Sequence, residues 1–136
     1  MLASCVTNNG DIGPLYGQWI LKQLTVDGTP DDIDCSDFAF SFQNNIVFIT
    51  HQLGHQVYSE TYGTWSVDGD KLTLNFTHTA DGYSPNEVTF TPPYQLHILG
   101  QKITVMDMIT LTDKQLVFGY TDSEGTTYKY TLKKLR

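Results

Sequence analysis

Apolar and polar residues alternate along most of the chain with a period of two, rather than the 3.6 of a helix. In the segment 38–42, Phe38, Phe40 and Phe42 fall on one face, and Ala39 and Ser41 fall on the other. The same pattern predicts strands at 17–26, 38–42, 46–51, 57–67, 71–78, 88–99, 102–111, 115–121 and 126–135. Because no segment shows a convincing helical stripe, the pattern predicts an all-β chain of about eight or nine strands.

Short turn sequences join most of these predicted strands. Asn44-Asn45 and Asp68-Gly69 suit two-residue hairpin turns, which need residues that tolerate positive φ. Proline cannot donate to a ladder, so Pro92-Pro93 should break the segment 88–99 or place it at an edge or bulge. Tight connections between short strands favour an antiparallel sandwich, or a meander closed into a barrel that leaves no exposed edge.

Longer connections are expected at 27–37 and 80–87. The first contains the one candidate for a short helix or 3₁₀ turn, at 30–37, and five aspartates, so it could form a lid over a barrel mouth. These aspartates could also bind calcium, but they lack the turn glycine and terminal glutamate of a calcium loop. A solvated acidic loop is the preferred interpretation.

Charge and length limit the possible classes of protein. The 136 residues fit one domain, and 8 basic against 15 acidic residues give a net charge of −7. Nucleic-acid binding is not expected, because Lys133-Lys134 is the longest basic run before the terminus. No stretch approaches the roughly 18 apolar residues of a membrane-spanning helix.

The first residues carry a separate signal. Leu2-Ala3-Ser4-Cys5 resembles the end of a bacterial lipoprotein signal, which predicts lipid attachment at Cys5 and a basic and apolar segment upstream of Met1. Residues 1–14 would then be a signal remnant and flexible tether, and 15–136 a single domain. A disulfide between Cys5 and Cys35 and two incidental thiols remain as alternatives.

Three motifs resemble a known superfamily. The first strand begins with Gly17-x-Trp19, an aromatic cluster spans 62–67, and the chain ends with the hairpins of 111–135. Together they are similar to the lipocalin and fatty-acid-binding superfamily, and to the lipocalin-like domains of envelope lipoproteins from Bacteroides-type bacteria. The resemblance implies a lipocalin-like barrel over residues 15–135.

The resemblance also assigns a role to Trp19. In that superfamily the tryptophan plugs one end of the barrel and a basic side chain from the last strand lies across it. An arginine usually takes this place, whereas the last strand here offers Lys129, Lys133 and Lys134, with Arg136 after it. A lysine can make a cation–π contact but lacks the planar stack of an arginine.

Polar residues on inward faces are candidates for orienting a ligand. Asp107 shares a face with Ile103, Val105 and other apolar residues of its strand, and His78 shares one with Phe76. If both faces point inward, His78 could partner the buried carboxylate. The alternative is that Met106 and Met108 define the inner face and Asp107 meets solvent.

Aromatic residues are abundant on the predicted strands. Candidates for the wall of a ligand cavity are Tyr62, Tyr120, Tyr128, Phe40, Phe76 and Phe118. Small barrels can also be filled entirely by side chains, so the pattern leaves a hollow and a filled barrel open.

Catalytic and metal-binding patterns are weak. His51 and His55 have the spacing of a helical metal pair but flank a predicted loop, and no glutamate follows His51, so surface or hairpin histidines are the preferred interpretation. The sequence has no Gly-x-Ser-x-Gly motif and no phosphate-binding glycine loop. We therefore expect no enzyme activity, no metal and no cofactor.

Two functions follow as hypotheses. The first is a non-catalytic, lipid-anchored envelope protein, on the periplasmic side of the outer membrane, that binds a small apolar or amphipathic ligand in its barrel. The second is a protein-interaction or inhibitor module with a filled barrel, whose loops contact an envelope partner.

Overall fold

The computed structural model describes residues 15–54, 57–76, 88–89, 92–98 and 103–135. The strands are β1 (Gly17–Val26), β2 (Thr29–Pro30), β3 (Phe38–Gln43), β4 (Ile46–Gly54), β5 (Val57–Asp68), β6 (Lys71–Asn75), β7 (Val88–Thr89), β8 (Ile103–Leu111), β9 (Gln115–Thr121) and β10 (Thr127–Lys134). Two 3₁₀ turns span Cys35–Asp37 and Tyr94–Leu96. The all-β prediction is confirmed. In the described part of the chain, no helix has the length and apolar character needed to span a membrane.

The sheet closes on itself. Strands β1, β3, β4, β5, β6, β8, β9 and β10 pair in this order, all antiparallel, and β10 pairs back onto β1. This is an eight-stranded antiparallel barrel, with β2 added beside β1 and β7 pairing in parallel with β5. The predicted meander and its closure into a barrel are confirmed, and the sandwich is excluded.

The two ends of the barrel differ. At one end Lys134 of β10 pairs with Trp19 of β1, and the Lys134 N–H donates to the Lys114 carbonyl oxygen over 2.9 Å. We call this the tryptophan end. At the other end the turn 122–126 joins β9 to β10, and residues 92–98 pack against the inner side chains of those strands. We call residues 92–98 the strap, and this end the strap end.

Turn residues act much as predicted. Asn44 has φ 47°, in the left-handed region that asparagine tolerates, and Asn44-Asn45 joins β3 to β4. The next predicted turn is displaced by one residue: Asp68 pairs with Lys71, so the turn residues are Gly69 (φ 65°) and Asp70.

Two predicted strands are shorter than expected. The strand predicted at 71–78 ends at Asn75 in the structure. Among the described residues of the segment predicted at 88–99, only the two of β7 form a strand, and Pro92-Pro93 and a 3₁₀ turn follow them. The break at the prolines is confirmed, and the strand predicted after them is wrong. The predicted tether 1–14 and loop 80–87 lie outside the described residues.

Aromatic side chains fill the centre of the barrel. Phe40 and Phe118 are fully buried, with ring centroids 5.8 Å apart, and Phe118 lies 5.2 Å from the buried Tyr130 ring. Nearer the tryptophan end, Phe42 meets Trp65 edge-on at 5.4 Å. These contacts span the barrel interior, so the middle of the barrel is a packed core.

Candidate functional site

The inner face of β9 and β10 carries aromatic residues in register. Phe118 pairs with Tyr130, and Tyr120 pairs with Tyr128 two residues nearer the strap end on each strand. The Tyr120 and Tyr128 rings lie 5.3 Å apart. Side chains two residues apart on a strand share a face, so the alternation of both strands directs three phenols into the strap end.

Two of these phenols hold the strap. The Tyr130 hydroxyl donates to the Leu96 carbonyl oxygen over 2.5 Å, and the Tyr120 hydroxyl donates to the His97 carbonyl oxygen. The Leu96 and Ile98 side chains are 0% and 3% exposed and belong to the hydrophobic core. The strap therefore seats two aliphatic side chains in the strap end of the barrel.

Burial keeps these phenols protonated. It raises the pKa of Tyr120 to about 12, and the nearby Tyr128 and Asp122 act in the same direction. Burial also raises the pKa of Tyr130, with Tyr120 and Tyr128 adding to the rise. Both groups are therefore hydrogen-bond donors at neutral pH.

His97 fixes the outer surface of the strap. Its backbone is left-handed (φ 61°), a conformation in which histidine is enriched relative to most residues. The imidazole stacks on Tyr128 at 4.8 Å, and Nε2 lies 3.2 Å from Oδ2 of Asp31. Tyr128 in turn donates to Oδ2 of Asp122 over 3.3 Å. These contacts connect the strap to the loop after β2 and to the β9–β10 turn.

One buried hydroxyl at this end has no partner among the described residues. Thr104 alternates with Met106 on the inner face of β8 and is 5% exposed, yet its Oγ1 makes no hydrogen bond. Leu111, at the other end of β8, adjoins the turn at the tryptophan end, so Thr104 lies toward the strap end. An unpaired buried hydroxyl costs about 1–3 kcal/mol.

The tryptophan end is closed by its own contacts. Trp19 is fully buried, and its Nε1 donates to the Leu15 carbonyl oxygen over 2.9 Å. The Nζ of Lys134 lies 4.7 Å from the centre of the Trp19 ring and 2.5 Å from the Tyr16 carbonyl oxygen. A lysine from the last strand thus lies where the family resemblance implies an arginine.

Two predicted interior residues lie outside the barrel. Asp107 is 59% exposed and forms an ion pair with Lys71, because β8 directs Met106 and its alternate neighbours inward. Tyr62 is also on the outer face, since Thr61 and Gly63 are the buried residues beside it, and its hydroxyl donates to Glu60. The alternative with Met106 and Met108 inside is therefore correct, and Asp107 and Tyr62 do not line the interior.

The other predicted residues divide into two groups. Phe40, Phe76 and Phe118 are fully buried, and Tyr120 and Tyr128 face the strap end. Cys5 and His78, proposed from the sequence, lie outside the described residues, as does His55. His51, four residues before His55, stacks on Phe38 at 4.3 Å.

Sequence reasoning missed the strap. Leu96, His97 and Ile98 continue the alternation of a strand, so the pattern alone assigned them to the sheet. Pro92-Pro93 was the available signal that the chain leaves the sheet there. The alternation places Tyr130 on a strand, but its hydrogen-bond partner Leu96 is 34 residues away in sequence.

A groove of about 360 Å³ lies outside this site, between β1 and the loop 30–36. Cys35, a free thiol, is one of its lining residues. Burial raises the pKa of this thiol, opposed by an N–H from Leu24 and assisted by Asp31 and Asp34. A protonated thiol is a poor nucleophile, so the raised pKa lowers the reactivity of Cys35.

Together, the closed antiparallel barrel, the buried tryptophan and the basic side chain across it define a lipocalin-like protein. The family model described as "Lipocalin-like domain" matches residues 1–135, and the chain belongs to this family. The resemblance seen in the sequence is confirmed.

Solved structures share the fold. A lipocalin-like protein from Bacteroides uniformis ATCC 8492 matches with a TM-score of 0.65 and 19% identity, covering 90% of this chain and 100% of its own. An uncharacterized protein from Bacteroides eggerthii DSM 20697 matches with a TM-score of 0.62 and 18% identity, covering 88% and 98%. None of the curated proteins matches this chain.

Proposed function

We propose that this protein is a non-catalytic binding protein that holds a small apolar or amphipathic molecule in the strap end of its barrel. The observation that carries the proposal is the Thr104 hydroxyl, which is 5% exposed and unpaired among the described residues. Buried hydroxyls in folded proteins nearly always have a partner, so a bound molecule would supply the missing one.

The surroundings of Thr104 support this proposal. The strap end toward which Thr104 lies also contains Tyr120 and Tyr128, whose rings are 5.3 Å apart, and Phe118 is the next inward residue toward the packed centre. An apolar wall with a few convergent polar groups is the usual composition of a small-molecule site. The high pKa of Tyr120 keeps its hydroxyl protonated, so it can act as a hydrogen-bond donor to a bound molecule.

Titration with N-phenyl-1-naphthylamine, which fluoresces in dry apolar sites, tests the proposal. We expect saturable uptake of one probe per chain. Thr104→Val fills the same space without the unpaired hydroxyl, so probe affinity should change. Asp107→Asn is the matched control on the outer face of the same strand and should leave it unchanged. Absence of uptake by the wild-type protein would refute the proposal.

The interaction module is the second candidate, favoured by a different observation. Ile103, Val105 and Ile109 point outward from β8 and are 56%, 52% and 58% exposed. Apolar residues aligned on one outer face are typical of a contact surface. Light scattering that shows an assembly in wild type and a monomer in Ile109→Lys would support this function.

Lipid attachment and the envelope location are proposed from the sequence alone. The support is the Leu2-Ala3-Ser4-Cys5 stretch. Expression from the genomic reading frame with an alkyne-labelled fatty acid should label the protein, and Cys5→Ser should abolish the label. An unlabelled wild-type protein in a bacterial host would exclude the anchor.

A further inference from the structure

The strap lies in the space that the proposed function gives to the ligand. Leu96 and Ile98 belong to the same buried cluster as Phe118 and Tyr130. The carbonyl oxygens of the strap accept hydrogen bonds from the hydroxyls of Tyr130 and Tyr120. A molecule that binds at this end must therefore replace both the aliphatic side chains and the hydrogen-bond acceptors of the strap.

We propose that the strap occupies the ligand position in the unliganded protein, and that the ligand displacing it is an uncharged acyl ester or amide. Its aliphatic chain takes the place of Leu96, and its carbonyl oxygen accepts from Tyr130 or Tyr120. This inference rests on the proposed function and specifies the chemistry of the same site.

The inward hydroxyls at the strap end indicate that the ligand carries a hydrogen-bond acceptor. The inward hydroxyls of Tyr120, Tyr130 and Thr104 are all able to donate, and the two phenols already donate to carbonyl oxygens. An alkyl ammonium ion has donors and no acceptor, so the O–H donors of these hydroxyls would find no acceptor on it. An ester or amide carbonyl reproduces the strap contacts with the same type of acceptor.

The charges around the strap end disfavour an anion. Asp31 lies beside His97, Asp122 accepts the Tyr128 hydroxyl, and the Asp27 carboxylate accepts the N–H of Thr127. These carboxylates surround a site whose phenols are neutral, and the whole chain carries a net charge of −7. A fatty-acid carboxylate would be repelled, since like charges at short range disfavour binding.

A competition experiment with three twelve-carbon probes separates these chemistries. Bound N-phenyl-1-naphthylamine is titrated at neutral pH with each of three competitors below its micelle concentration. The competitors are monolaurin (an uncharged ester), laurate (an anion) and dodecylamine (a cation). We expect monolaurin to compete at a concentration lower than either charged probe by about tenfold, the combined effect of one hydrogen bond and charge repulsion. Equal or stronger competition by laurate would overturn the inference.

Variants of the strap test the competition directly. Leu96→Ala removes the side chain that fills the site, so monolaurin should bind at least about threefold more tightly even though the unliganded protein becomes less stable. Leu135→Ala, at an exposed residue beyond β10, is the matched control and should leave affinity unchanged. Weaker or unchanged monolaurin binding by Leu96→Ala would show that the strap does not compete with the ligand.

Tyr130→Phe gives a second test in case Leu96→Ala fails to fold. The strap loses one bond in this variant, and so does a bound ester, whereas the naphthylamine probe has no carbonyl oxygen to lose a bond from. The affinity of Tyr130→Phe for the naphthylamine probe should therefore rise relative to its affinity for monolaurin by about two- to tenfold. An unchanged ratio would contradict the role of Tyr130 as the donor to the ligand.

Failure of this inference is distinguishable from failure of the proposed function. If the wild-type protein takes up no naphthylamine probe, the binding function itself is wrong. If the probe binds but laurate competes as well as monolaurin, the barrel binds small molecules and only the proposed ligand chemistry is wrong.

Discussion

At the scale of single residues, Lys134 shows how the last strand closes the barrel without an arginine. Its Nζ lies over the Trp19 ring and reaches the Tyr16 carbonyl oxygen, so one flexible cation makes both contacts. Lysine lacks the planar guanidinium that stacks on an aromatic face. The contact is therefore electrostatic, with the ammonium ion positioned by the backbone carbonyl.

We predict that Lys134→Met lowers the free energy of unfolding by about 0.5–1 kcal/mol, because methionine keeps the apolar stem and loses the cation. Lys133→Met is the matched control, since Lys133 points outward and is exposed. Urea denaturation of the three proteins measures the difference. An equal loss in both variants would show that the contact with Trp19 contributes nothing specific.

We predict that His51 makes the free energy of unfolding depend on pH. Burial lowers its pKa from 6.5, opposed by Asp37, because the ring stacks on Phe38. Between the folded pKa and 6.5, the unfolded chain therefore binds more protons than the folded chain. The stability contributed by His51 is complete above pH 6.5 and falls as the pH drops through that window. His51→Gln should flatten this slope in urea denaturation series; an unchanged slope would assign it to another group.

At the scale of secondary structure elements, the alternation of residues predicts where strands lie more reliably than which face is inside. Both rows of β8 contain apolar residues, with Met106 and Met108 in one and Ile103 and Val105 in the other. Only the pairing of β8 with β6 and β9 decides which row faces inward. The pairing of β8 with β9 also has a register shift between Val117 and Phe118, which a regular alternation does not anticipate. This is why the sequence located β8 but left the position of Asp107 open.

The strap could not be predicted for a related reason. Its residues have the composition of a strand, and their contacts are with strands that follow much later in the chain. Local pattern has no information about such distant partners. The residues of the site on β9 and β10 were predictable from alternation, whereas the acceptors they bind were not.

Gly63 lies where β5 and β6 approach each other closely, and a substitution there can test this packing. A Cβ at this position would lie 2.6 Å from the Asn75 carbonyl oxygen and 2.7 Å from Cδ1 of Phe76. Gly63→Ala should therefore lower the free energy of unfolding by about 1–3 kcal/mol, as overpacking does in a close-packed core. Ser66→Ala, an exposed position on the same strand, is the control. Thermal unfolding with equal midpoints for both variants would exclude the clash.

At the scale of the whole molecule, the barrel interior divides into a part filled by its own strands and a part filled by the strap. From Trp19 to Phe118 the interior is held by side chains of the barrel strands themselves. At the strap end, a segment outside the barrel ladder supplies part of the core through Leu96 and Ile98. Displacing that segment leaves the strand pairings intact, so the two ends should differ in local stability.

We therefore predict that hydrogen exchange separates the two ends. Amides of β1 and β10 near Trp19 should exchange only through global unfolding, because both strands pair on each side and close the barrel. The amide of Leu96, which donates to Pro93, should exchange faster through local opening of the strap. Adding monolaurin should change exchange in the strap and leave β1 near Trp19 unaltered. Equal protection at both ends, with or without the probe, would mean that the strap opens only when the barrel unfolds, and a ligand could then not enter by displacing it.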